Sequence, residues 1–141
     1  MGKVKVLEAA AKDMRDLALL DPLAMTKLAT LFKQLENDPQ KFSKLMVNGY
    51  GEFKLDDFNV LKWREAQNND IDLWRLKDLS LEREGKFYRV PYCLNDNKTI
   101  AYILAVVHKE HTEGFDYDDI CSPVVRRIIA SHAELRSKGK L

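Results

Sequence analysis

Cysteine is nearly absent from this chain. Two in 141 residues, Cys93 and Cys121, make no disulfide framework. Long apolar runs are missing too. The longest, Ile100 to Val107, has eight residues, against the roughly 20 that a membrane-spanning helix needs. No glycine-rich phosphate loop and no serine in a nucleophile-elbow context occurs. Neither sign of charge dominates: Lys plus Arg is 23 and Asp plus Glu is 22, a net charge of +1. That balance argues against a sequence-blind nucleic-acid coat, for which a pI above about 9 is expected. The first residues reach Glu8 and Asp13 without an apolar segment, which does not read as a secretory signal. A reducing cytoplasm is the expected compartment, with no membrane partner.

What remains is the composition of a globular domain, 45% hydrophobic and 32% charged. Lys3 to Leu7 alternates as a short strand does. From Glu8 to Leu20, Ala10, Met14, Leu17 and Ala18 recur at helical spacing. Asp21-Pro22 reads as a cap followed by proline at the first helical position. A second helix then carries Leu23, Leu28, Leu31, Phe32 and Leu35; Asn37-Asp38-Pro39 ends it, and a short helix is expected to restart at Pro39. Residues 43 to 71, with a Gly49-Tyr50-Gly51 turn, are expected to form an irregular insertion. Phe53, Phe58, Val60, Leu61 and Trp63 make that stretch too apolar for a linker.

Beyond it the period becomes two. Asp72 to Leu79 and Phe87 to Leu94 are expected strands, joined by a charged hairpin connection at Leu81 to Lys86. Pro91 cannot donate to a ladder and so marks an edge or a bulge. Thr99 to Val107 is apolar throughout, as a central strand is. Ser122-Pro123 opens a last helix. The expected architecture is a single α+β domain spanning residues 1–141. A strand and an antiparallel helix pair are followed by a three-stranded antiparallel meander, with helices on one face, and by a C-terminal helix.

The residues able to do chemistry lie in the meander. Arg75 and Lys77 are two apart and point to one face. Arg89 and Lys109 join that face if successive strands pair, making a phosphate-binding surface of guanidinium forks and ammonium groups. Tyr88, Tyr92, Phe115 and Tyr117 are candidate stacking platforms for bases. The competing reading is a solvated sheet face, because Asp78, Glu82 and Glu84 are interleaved. His108 and His111 are candidate acid–base groups. Three histidines without a cysteine pair give no metal site, and no cofactor is expected. Cys93 reads as a small buried residue.

The ordered set Leu73-Trp74-Arg75-Leu76-Lys77, Phe87-Tyr88-Arg89-Val90-Pro91-Tyr92 and Ile103 to Lys109, with Tyr117 beyond, resembles the RelE/ParE toxin superfamily. The resemblance covers residues 3 to 37 by element order and 72 to 130 by pattern. It implies a toxin of a type II toxin–antitoxin system. The RelE-like branch cleaves messenger RNA on the ribosome; the ParE-like branch inhibits DNA gyrase. Both are neutralised by a partner antitoxin. For this chain the expectation is a metal-independent, ribosome-dependent endoribonuclease. A gyrase inhibitor and a non-catalytic RNA- or protein-binding relative are the alternatives.

The resemblance further implies that Arg75 and Lys77 lie near the scissile phosphate. Arg89 would stabilise the transition state, and Lys109 would take the place of the arginine or histidine that follows the last strand. Lys77, His108 or His111 would supply the base. Tyr117 would match the family's late tyrosine, although strict spacing selects Phe115. Arg89→Ala and Lys109→Ala are expected to remove activity with little loss of stability, as exposed charges contribute within about 0.5 kcal/mol. Self-association and assembly with antitoxin both stay open.

Overall fold

The computed structural model describes residues 2–51 and 56–141. The expected apolar anchor Phe53 lies outside them. The elements in order are β1 (Lys3–Val6), α1 (Glu8–Ala18), α2 (Pro22–Asn37), α3 (Pro39–Ser43) and a tight turn at Lys44–Met46. Then come β2 (Phe58–Lys62), α4 (Arg64–Gln67), β3 (Trp74–Asp78) and α5 (Leu79–Arg83). β4 (Tyr88–Leu94), β5 (Ile100–Ile103), β6 (Val107–His108) and α6 (Pro123–Ser137) complete the chain. Among the described residues, no helix is long and apolar enough to cross a membrane.

The caps behave largely as their sequences dictate. The Asp21 carboxylate accepts the Ala24 N–H at 3.1 Å and starts α2 with Pro22 in the first turn. Asp38 does the same for α3 through Gln40 and Lys41. Ser122 precedes α6, yet its hydroxyl makes no cap and instead faces the Asp116 backbone.

The sheet runs β1-β5-β4-β3-β2, with β6 also on β4. The α+β architecture is as the sequence predicts, with three differences in the strands and one in the helices. First, β1 pairs with β5 in parallel, Lys3 opposite Ile100 and Val6 opposite Ile103, so the sheet is mixed. The chain reaches this register by crossing over through the helix pair. On the open side of β1, the Val4 N–H is taken by Glu36 of α2 at 2.9 Å.

Second, the insertion is not irregular throughout. It contributes β2, antiparallel to β3 with Phe58 opposite Asp78 and Lys62 opposite Trp74. The turn before it folds back along the free edge of β2, where Gly49 N–H donates to Val60 O and Val60 N–H to Tyr50 O. Gly51 makes that return possible. Its φ is +78°, and a Cβ there would lie 2.1 Å from the Phe58 carbonyl oxygen.

Third, the last apolar strand is split. Tyr92 pairs with Ile103, but Arg89 pairs with Val107, so Leu104, Ala105 and Val106 oppose only Val90 and Pro91. This is a bulge, and it explains Pro91 in a strand flanked on both sides. Pro91 offers only its carbonyl, which accepts the Leu104 N–H at 3.0 Å. The Val106 N–H, left without a ladder partner, is taken by Asp13 of α1 at 3.0 Å.

Strand alternation divides the side chains into two cores. Trp74, Leu76, Tyr88, Val90, Tyr92 and Ile103 pack with α2. Leu73, Cys93, Tyr102 and Val107 pack with Val125, Ile128 and Leu135 of α6. Helices therefore cover both faces of the sheet. The sequence alone predicts one covered face, because the amphipathic stripe of α6 does not say which side it will find.

Candidate functional site

Arg75 and Lys77 are half-buried and lie on the face of β3 opposite Trp74, Leu76 and Asp78. Arg75 pairs with Pro91 and Leu76 with Val90. Continuing that register one step sets Lys77 beside Arg89. Arg89 pairs in turn with Val107 on its other side, and Lys109 is two residues farther along the same face, its N–H bonded to Phe87 O at 2.8 Å. The four cations expected to share a face therefore do so. They are close enough to act on one another. Burial, followed by Arg89, Arg75 and Lys109, holds the Lys77 amine below the ordinary lysine range.

Arg89 is not the exposed charge that the sequence suggests. It is 6% exposed. Its Nη1 donates to Glu82 Oε2 at 2.9 Å and to the Tyr88 carbonyl at 3.0 Å. Glu82 also reaches Lys77, with Oε1 3.7 Å from Nζ. Sequence reasoning names Glu82 only as one of the interleaved acids of a solvated face and misses that this carboxylate bridges Arg89 and Lys77. The connection Leu79 to Lys86 is not a bare hairpin loop: α5 begins it, capped by Asp78, whose carboxylate accepts the N–H groups of Ser80 and Leu81. Leu81 is driven into the core, 1% exposed, and one residue on, Glu82 turns toward the cations. An Asp before a Leu-Ser-Leu-Glu run is a readable helix start. What that helix faces is not readable.

Tyr117 closes one side of the site. The Arg75 guanidinium lies 4.7 Å from the centre of its ring. Trp63, supplied by the insertion, meets the same ring edge-on at 5.2 Å, and its indole N–H donates to the Tyr117 carbonyl at 3.2 Å. Phe115 packs against Tyr117 at 4.6 Å. The Tyr117 hydroxyl is buried and has no hydrogen-bond partner among the described residues. Burial pushes its pKa up, opposed in part by Arg75 and Arg89, so it stays protonated at any ordinary pH.

The other candidates lie elsewhere. Tyr92 is fully buried on the α2 side of the sheet and donates its hydroxyl to Leu45 O at 2.6 Å. Tyr88 is 6% exposed and belongs to the same core. Neither ring is open to stack on a base. The correction was available in the strand parity, which puts Tyr88 and Tyr92 opposite Arg89.

His108 is buried against the edge of Tyr88. Phe87 N–H approaches its Nε2 at 3.3 Å, while Glu110 and His111 N–H groups approach Nδ1 at 3.1 and 3.3 Å. A neutral imidazole accepts at one nitrogen only, so these contacts compete for a lone pair already directed at backbone. Burial, then His111 and Arg89, lowers its pKa. His111 is exposed and stacks on His108 at 4.3 Å. Among the described residues no group of three or more His, Cys, Asp and Glu side chains gathers to hold a metal.

Comparison of the chain with protein-family models, with curated proteins and with solved structures found no match.

Proposed function

We propose that the chain is a RelE-like toxin of a type II toxin–antitoxin system, a metal-independent endoribonuclease acting on messenger RNA in the ribosome. One observation carries the reading. Arg75 and Lys77 of β3, Arg89 of β4 and Lys109, just after β6, share one sheet face, and burial, then Arg89, Arg75 and Lys109, lowers the Lys77 amine against the opposing pull of Glu82. Such a surface suits the phosphodiester, and a lysine so placed suits the base.

In the reaction, the Lys77 amine in its unprotonated form takes the 2′-OH proton as that oxygen attacks the adjacent phosphorus in line. The bond to the 5′-oxygen breaks, and that oxygen leaves with a proton, giving a cyclic phosphate and a free 5′-OH. Arg89 and Lys109 offset charge on the non-bridging oxygens, each group of this kind supplying about 10²–10³-fold. Arg75, held over the Tyr117 ring, orients the phosphate. His111, exposed beside Lys109 in sequence, is the better placed histidine to protonate the leaving oxygen, because the His108 lone pair is directed at backbone. A positioned acid or base contributes about 10²–10⁴-fold. An antitoxin that covers this face would silence it.

The test is induction of wild type and Lys109→Ala in a bacterial host, with mapping of messenger RNA 5′ ends. Lys109 is exposed, so its loss leaves the fold intact. New cuts within translated frames, absent in the variant, are expected. Growth arrest without cuts would instead indicate a gyrase inhibitor. Neither arrest nor cuts would remove the toxin reading.

A further inference from the structure

We propose that Glu82 is an internal counter-ion seated where the RNA phosphate must bind, so that it sets the affinity of the site and has to swing aside for a substrate. This rests on the phosphate-binding reading above. A carboxylate presents two oxygens much as a phosphate presents its non-bridging pair, and guanidinium forks accept either. Glu82 uses both of its oxygens in this way. Oε2 receives the Arg89 guanidinium at 2.9 Å, and Oε1 lies 3.7 Å from the Lys77 ammonium. It bridges cations on two neighbouring strands, the span a bound phosphate would have to make.

The segment is built so that the side chain, not the backbone, is the movable part. Asp78 caps α5, Leu81 is buried in the core, and the Lys86 N–H closes the turn onto Leu81 O. Beyond it, Lys86 pairs with Asp21 at 3.1 Å, and Glu84 with Lys27 at 2.8 Å, tying the connection to α2. Glu82 itself is largely covered but keeps 16% of its side chain exposed, and rotation of that side chain outward releases Arg89 and Lys77 together. Among the described residues Glu82 is the carboxylate paired with Arg89 and Lys77, so an incoming phosphate replaces a charge of the same sign. Binding becomes an exchange of one anion for another, which disfavours weak or poorly placed phosphates and spares the free protein from retaining stray polyanions.

The test measures binding of a short single-stranded oligonucleotide with 2′-deoxy sugars, which binds but is not cut, by fluorescence anisotropy. The proteins are wild type, Glu82→Gln, Glu84→Gln, Lys109→Ala and the Glu82→Gln/Lys109→Ala pair. Glu84 lies on the same connection but is paired with Lys27, outside the cluster. Glu82→Gln is expected to bind about tenfold tighter, the worth of one charge-assisted hydrogen bond no longer to be broken. Glu84→Gln should stay within about twofold, as a screened surface charge does. Lys109→Ala should weaken binding in both backgrounds.

Thermal melting checks that each variant is folded. Glu82→Asp, which keeps the charge on a shorter stem, serves if the glutamine variant is not, and should bind more tightly than wild type by a smaller factor. Binding by a folded Glu82→Gln equal to or weaker than wild type would show Glu82 to be only a structural partner of Arg89 and overturn the proposal, leaving the phosphate reading in place if Lys109→Ala still weakens binding. No binding by wild type or Glu82→Gln, or binding indifferent to Lys109→Ala, would overturn the phosphate reading itself.

Discussion

Arg89→Ala should destabilise the protein by about 3 kcal/mol, contrary to the small effect expected of an exposed charge. The Arg89 side chain is 7% exposed and its Glu82 partner 16%. Truncation removes the charged donor from two hydrogen bonds, to Glu82 Oε2 and Tyr88 O. Bonds to charged groups contribute roughly 1.5–3 kcal/mol each, and breaking a buried pair by deleting one partner costs about 3–5 kcal/mol. Two features reduce the figure: Lys77 remains 3.7 Å from the abandoned carboxylate, and Glu82 is open enough to turn to water. For a domain of this size, 3 kcal/mol lowers Tm by roughly 10 °C.

The assay is urea unfolding of wild type, Arg89→Ala, Glu82→Leu and the double variant. The pair should show a coupling of about 1.5–3 kcal/mol, within the range for residues that share a buried bond, because the double variant leaves neither Arg89 nor Glu82 facing a missing partner. Single losses under 0.5 kcal/mol that add in the double variant would refute the pairing. The consequence for function is practical: lost cleavage in Arg89→Ala would mix chemistry with folding, and Lys109→Ala is the cleaner probe.

Asp13 joins three elements, accepting the bulge N–H of Val106 and both terminal nitrogens of Arg127 on α6. Asp13→Ala should cost about 2 kcal/mol in urea unfolding, the penalty of an unsatisfied buried donor, whereas Asp16→Ala, at an exposed pair with Lys12, should cost less than 0.5 kcal/mol. A thiol reagent should titrate one cysteine in the native protein and two in denaturant. Cys121 is exposed, while Cys93 is buried with its pKa pushed up to about 12; two fast native thiols would contradict its burial. His108 and His132 are both held below the ordinary histidine range chiefly by burial. A lowered folded-state value means that the unfolded chain binds more protons, so their contribution is complete above about pH 6.5 and is lost as pH falls from there through the folded-state values. Unfolding midpoints should therefore drop between pH 7 and pH 5, and His132→Gln should flatten that drop.

The sequence by itself determined the locally coded parts. Asp21-Pro22 and Asp38-Pro39 specified helix starts, the three- and four-residue spacing of Leu28, Leu31, Phe32 and Leu35 specified the buried face of α2, and period-two alternation put Arg75 and Lys77 on one side of β3. Parity also held the answer for Tyr88 and Tyr92, which share a face with Val90 and not with Arg89. These features depend on contacts within a few residues, so the pattern suffices.

Tertiary structure decided the rest. The parallel pairing of β1 with β5, the recruitment of β2 from an insertion, the bulge at Leu104–Val106 and the packing of α6 on the second face were settled by partners on other elements, 12 to 20 residues away for β2 on β3 and more than 90 for β1 on β5 and for Asp13 at the bulge. So was the site, where α5 brings Glu82 between Arg89 and Lys77, and Trp63, 54 residues before Tyr117, holds that ring beside Arg75. Local periodicity tells a residue which face of its own element it occupies. It does not tell which other element's face will be pressed against it, because that choice is made by burying whole apolar surfaces and satisfying the polar groups trapped between them.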